Sequence, residues 1–65
     1  MNRREMVLLA IGDAISAKKH LISRWDNDLY SIYGPEIAEN RRQETGRELK
    51  KLYELRDEIK SGAQI

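Results

Sequence analysis

Apolar residues recur along the first half of the chain at Leu8, Ile11, Ile15, Ile22, Trp25, Leu29 and Ile32, alternately three and four positions apart, interrupted by Lys18. That period belongs to an amphipathic helix, and it predicts a seam along one side of a rod of roughly seven turns. Val7, Ala10, Ala14, Ala17 and Leu21 form a second stripe beside the seam, so the N-terminal half is apolar over a broad arc. Gly12 and Ser16, with Ala10, Ala14 and Ala17, also give it a small-residue surface able to admit another helix closely.

The strong interior punctuation is Gly34-Pro35. Glycine takes the left-handed conformation that ends a helix, and proline suits the first turn of the next one, where its missing N–H is not needed. Glu36 and Glu39 then fall where the helix dipole favours negative charge, and Lys60 with Ser61-Gly62 reads as a stop. The pattern predicts one all-α domain over 1–65: a helix over about 3–33, a turn at Gly34-Pro35 and a helix over about 35–60. So short a connection implies an antiparallel two-helix hairpin.

The two predicted helices are unequal. Inward positions on the second are Ile37, Ala38, Arg41 or Arg42, Thr45, Leu49, Leu52, Leu55 or Arg56, and Ile59. Its apolar second half faces Leu8 to Ile15, while the polar run from Glu39 to Glu44 faces Trp25, Leu29 and Ile32. Gly46 falls opposite Ile22 and Trp25, where a missing side chain would make room for the indole; the plainer alternative is a merely tolerated glycine. Two helices touching along one line bury too little for a chain of 65 residues. The expectation is therefore self-association into a four-helix bundle or larger helical oligomer, or cover by a host protein, with Leu8, Ile11, Ala14, Ile15, Ala17 and Ile22 at the interface.

Composition narrows the chemistry. No cysteine is present, which removes disulfides and thiolate metal sites, and a lone histidine, His20, makes a zinc site a poor reading. Twelve basic and eleven acidic residues leave a net charge of +1, too weak a field to argue for nucleic acid alone. The apolar run Met6 to Ile11 is too short for a secretory signal or membrane span, so a cytoplasmic location is expected, with no membrane partner.

Asp26-Asn27-Asp28 suggests a calcium loop, but Ser31 and Ile37 stand where such a loop needs glycine and glutamate. The carboxylates of the second helix are spaced for local ion pairs: Glu39 with Arg42, Glu44 with Arg47, Glu48 with Lys51. Lys18 on the seam reads as a residue that fixes register. His20 has no nucleophile beside it, and no phosphate loop or nucleophile elbow is present, so no enzyme and no cofactor are expected.

The constellation with most to offer lies near the turn: Trp25, Tyr30 and Tyr33 with Arg24, Arg41 and Arg42. Packing explains it most simply. Beyond packing, Trp25, Leu29, Tyr30, Ile32 and Tyr33 could anchor another protein, as aromatic residues tend to. Alternatively, Lys19, Arg24, Arg41 and Arg42 could hold a nucleotide or nucleic acid, with stacking on an aromatic face. The leading expectation is a small non-enzymatic regulatory or adaptor protein, inhibitor-like, acting as a helical oligomer by protein–protein binding; the anionic-ligand binder is the alternative.

Overall fold

A computed structural model describes residues 1–62. The described residues are all-helical, with no strand, and form α1 (Arg3–Asp26), α2 (Asp28–Tyr33) and α3 (Pro35–Lys60). Asn2 caps α1: its side-chain oxygen accepts from the Glu5 backbone N–H at 2.8 Å, and its amide donates to the Glu5 carboxylate at 3.3 Å. The first bond satisfies one backbone donor that the first turn leaves free, and the second, between side chains, holds the cap in place.

The expected single helix over 3–33 is two helices. Asn27 leaves helical geometry at φ −124° and ψ −100°, its backbone N–H bonding to the Arg24 carbonyl at 3.1 Å. Its side-chain amide donates to the Ser23 carbonyl at 2.7 Å, and its own carbonyl accepts from the Ser31 N–H. Short polar side chains offer the backbone such local alternatives, which is why they favour helix ends over interiors. The Asp26-Asn27-Asp28 triplet is thus a helix break, and that is where the seam loses its direction.

Gly34 ends α2 at φ +87°, its N–H bonding to the Tyr30 carbonyl at 2.9 Å, and Pro35 opens α3 as expected. At the far end of α3, Arg4 reaches across from α1 and donates to the carbonyls of Ile59 (2.6 Å) and Lys60 (3.1 Å). An arginine thereby satisfies carbonyls of a last turn, where the dipole also favours a cation.

Contacts between α1 and α3 join Arg4 to Ile59, Lys18 to Glu48 and Asp26 to Arg42. The core lies toward the chain ends, where buried Ile11, Ile15 and Ile59 pack with Val7, Leu8, Leu49, Leu52 and Tyr53. Among the described residues no large side chain is fully buried. The molecule spans 43 × 18 × 11 Å with a radius of gyration of 14.5 Å, against about 11 Å for a compact chain of this length. Its thickness is that of a single layer of helix.

Several inward assignments change. Ile32 is 68% exposed, because the break at Asn27 turns α2 away from the seam. Ile37 is exposed, whereas Ala38 is buried as expected, and of the alternatives Leu55 and Arg56 it is Arg56 that is half-buried. Gly46 makes no close approach to Trp25: a Cβ there would meet nothing within 4 Å, and the same holds at Gly12.

Candidate functional site

The turn end of the molecule carries an open groove of about 520 Å³ between α1 and α3. Leu21 and Trp25 of α1 form one wall, Ile37 and Thr45 of α3 the other, and Tyr33 of α2 closes the end. Two cross-charged pairs, Lys18–Glu48 and Arg41–Glu44, stand along it. The Trp25 and Tyr33 rings meet at 5.6 Å between centroids, tilted by 51°, an orientation that offsets the two ring quadrupoles. Thr45 is buried but satisfied, its hydroxyl donating to the Arg41 carbonyl one turn back at 2.8 Å. The groove is therefore lined by apolar and charged side chains together, and its two cations balance its two carboxylates.

The aromatic set expected to bind protein is brought to one end but not onto one face. Trp25 and Leu29 are half-buried, whereas Tyr30, Ile32 and Tyr33 are exposed, Tyr33 by 52%. Among the expected interface residues, Ile11 and Ile15 lie in the chain's own core, and Leu8 and Ile22 are half-buried. Ala14 is half-buried and Ala17 exposed, so these small residues still face outward.

The cations proposed for an anionic ligand are dispersed. Arg24 pairs with Asp28 one turn on at 3.1 Å, Arg42 with Asp26 across the helices at 2.7 Å, and Arg41 with Glu44 at 3.5 Å. Lys19 lies 5.6 Å from the Tyr53 ring centroid. Of the four, Arg41 alone lines the groove. The ion pairs expected within α3 are also re-sorted: Glu48 takes Lys18, Glu44 takes Arg41, and Glu39 accepts from Gln43 at 3.1 Å. Lys18 does bridge α1 to α3, as a residue fixing register would.

Electrostatics favour the charged form at two carboxylates, Glu48 of the groove and Asp28 at the start of α2. The hydrogen bond from Lys18, followed by its Coulombic attraction, holds Glu48 below the ordinary carboxylate value, and the hydrogen bond from Arg24 does the same for Asp28. Both shifts run opposite to what a general acid requires. Among the described residues no cluster of three or more histidines and carboxylates is placed to hold a metal, and no helix is long and apolar enough to cross a membrane.

One arrangement escaped sequence reasoning. Tyr53 receives the Arg56 guanidinium at 4.9 Å from its ring centroid as well as Lys19. The Arg56 Nε is buried without a hydrogen-bond partner, the Asp57 carboxylate standing 3.8 Å away. The three-residue spacing of Tyr53 and Arg56 was a readable signal for such a stack; the approach of Lys19 from α1 was not. No protein-family model, no curated protein and no solved structure matches this chain.

Proposed function

We propose that the chain is a small non-enzymatic adaptor or regulator, in which an antiparallel hairpin of α1 and α3 self-associates and presents its turn end to another protein. The carrying observation is α2: its six residues, Asp28-Leu-Tyr-Ser-Ile-Tyr33, include none that is buried. Its Tyr30, Ile32 and Tyr33 are all exposed beside the groove end that Tyr33 forms with Trp25. Exposed aromatic and aliphatic side chains gathered at one end of a molecule are what protein interfaces bury. The anionic-ligand alternative is less favoured, since Arg24, Arg41 and Arg42 are committed to carboxylates and Lys19 to an aromatic ring.

A photo-reactive side chain at Tyr30, introduced in the native host, tests this reading. The expected product is one discrete adduct with a second protein species, lost when Ile32→Asp is added. Adducts with nucleic acid, or none except between copies of this chain, would overturn it.

A further inference from the structure

We propose that Arg56 and Lys19, held on the Tyr53 ring from two different helices, form a binding site for the phosphate group of a small ester. The site is separate from the turn end, and it stands or falls independently of the protein-binding function proposed above.

The site grows from Tyr53. Its ring is half-buried and packs against the cluster of Ile11, Ile15 and Ile59, so the core sets its position. Arg56, three residues further along α3, brings its guanidinium to 4.9 Å from the ring centroid, and Lys19 reaches the same ring from α1 at 5.6 Å. None of the three lines the groove. The other cations that the fold ties down already have partners: Lys18, Arg24, Arg41 and Arg42 have carboxylates, and Arg4 has the last carbonyls of α3. Arg56 and Lys19 are instead placed by an uncharged ring, and contact with an aromatic face uses none of their N–H donors. Among the described residues the only carboxylate near Arg56 is Asp57, 3.8 Å from Nε and too far for a hydrogen bond. Adjacent in sequence, Asp57 lies on a different line of the helix and is 73% exposed.

Two like charges gathered on one ring repel each other, and a bound anion reverses that cost. The guanidinium supplies a planar fork and the ammonium a point charge, which together suit the several oxygens of a phosphate. The Arg56 Nε is sealed from solvent, so the ligand meets the outer Nη groups. A small ester is favoured over a polyanion, because a net charge of +1 provides no extended field and Asp57 flanks the pair.

Nitrogen-15 NMR of the full-length chain, titrated with inorganic phosphate against chloride at fixed ionic strength, tests the site. The Arg56 Nε–H resonance and the Tyr53 ring protons should move along one saturating curve, with half-saturation on the order of 1–10 mM. Lys19→Gln, at an exposed position, should weaken the response about fivefold or more, and so should Arg56→Lys, which keeps the charge and loses the fork. Lys51→Gln makes the same change of charge beside Glu48, away from the ring, and should leave the response unchanged. A merely structural stack would drift equally and without saturation in phosphate, acetate and chloride, and that result overturns the site. An effect of Lys51→Gln as large as that of Lys19→Gln would also overturn it, reducing the response to overall charge. Saturation by a single-stranded oligonucleotide at a lower phosphate concentration than inorganic phosphate requires would overturn the small ester in favour of a polyanion.

Discussion

The two ends of the molecule are made by the same pair of helices and differ in what those helices offer each other. At the end holding the chain termini, Ile11 and Ile15 meet Ile59, Leu49 and Leu52, and Arg4 closes the last turn of α3. At the turn end α3 buries only the small Ala38 and Thr45, Trp25 and Leu29 stay half-buried, and Arg42 reaches Asp26. Apolar residues matched on both helices yield a core; on one helix alone they yield a groove and an exposed helix. A shared hydrophobic period is therefore insufficient for burial, because each seam residue needs a counterpart at its own height.

The largest effect that separates the ends is a cavity at the core. Ile15→Ala should cost roughly 2–4 kcal/mol, since the side chain is buried against Ile11 and Ile59, and in so small a chain that abolishes much of the cooperative melt. Ile32→Ala, the same chemical deletion at a site 68% exposed, should shift stability by less than about 0.5 kcal/mol. Thermal melts of the two variants at one protein concentration check the contrast. Equal losses would mean that Ile32 is buried by something outside the single chain.

Next in size is a gain. Gly12 and Gly46 sit inside helices with open space where a Cβ would go, so alanine at either should stabilise by roughly 0.5–1 kcal/mol through helix propensity and a less free unfolded chain. Gly34→Ala has equal room but a backbone at φ +87°, and should destabilise. Chemical melts of the three variants sharpen the comparison, because they separate space from backbone geometry. A loss at Gly46→Ala would reveal a close neighbour at that point.

How far this was legible in the sequence depends on the range of the forces involved. The Gly34-Pro35 turn, the start of α1 at Arg3 and the end of α3 at Lys60 are local matters of φ and capping, and they were readable. The break at Asn27 was local too, yet hidden under a seam that continues in register through Leu29 and Ile32. There three short polar residues outweigh the apolar period. The partners of Arg42, Glu48 and Tyr53 were not readable, because they depend on which residues of α3 stand level with Asp26, Lys18 and Lys19. That register is set jointly by the turn and by the isoleucines at the far end.

The smallest expected effect concerns protons and separates α2 from the two long helices. Glu48 is held below its ordinary value of 4.5 by the hydrogen bond from Lys18, which ties α1 to α3; Asp28 is held below 3.8 by Arg24, one turn away. In each case the folded pKa is depressed, so the unfolded chain takes up the proton first on acidification. The stabilisation is complete above the ordinary value and is lost as pH falls through the lowered one. Both pairs are exposed and screened, which keeps the effect small and salt-sensitive. Glu48→Gln should flatten the fall of the melting temperature between about pH 5 and pH 2, because its pair spans the two long helices. Asp28→Asn should leave that slope nearly unchanged and instead speed amide exchange within α2, whose first turn it serves. If Asp28→Asn flattened the global slope as strongly as Glu48→Gln, α2 would be unfolding together with α1 and α3, and the three helices would form one cooperative unit rather than a rigid pair with a looser helix attached.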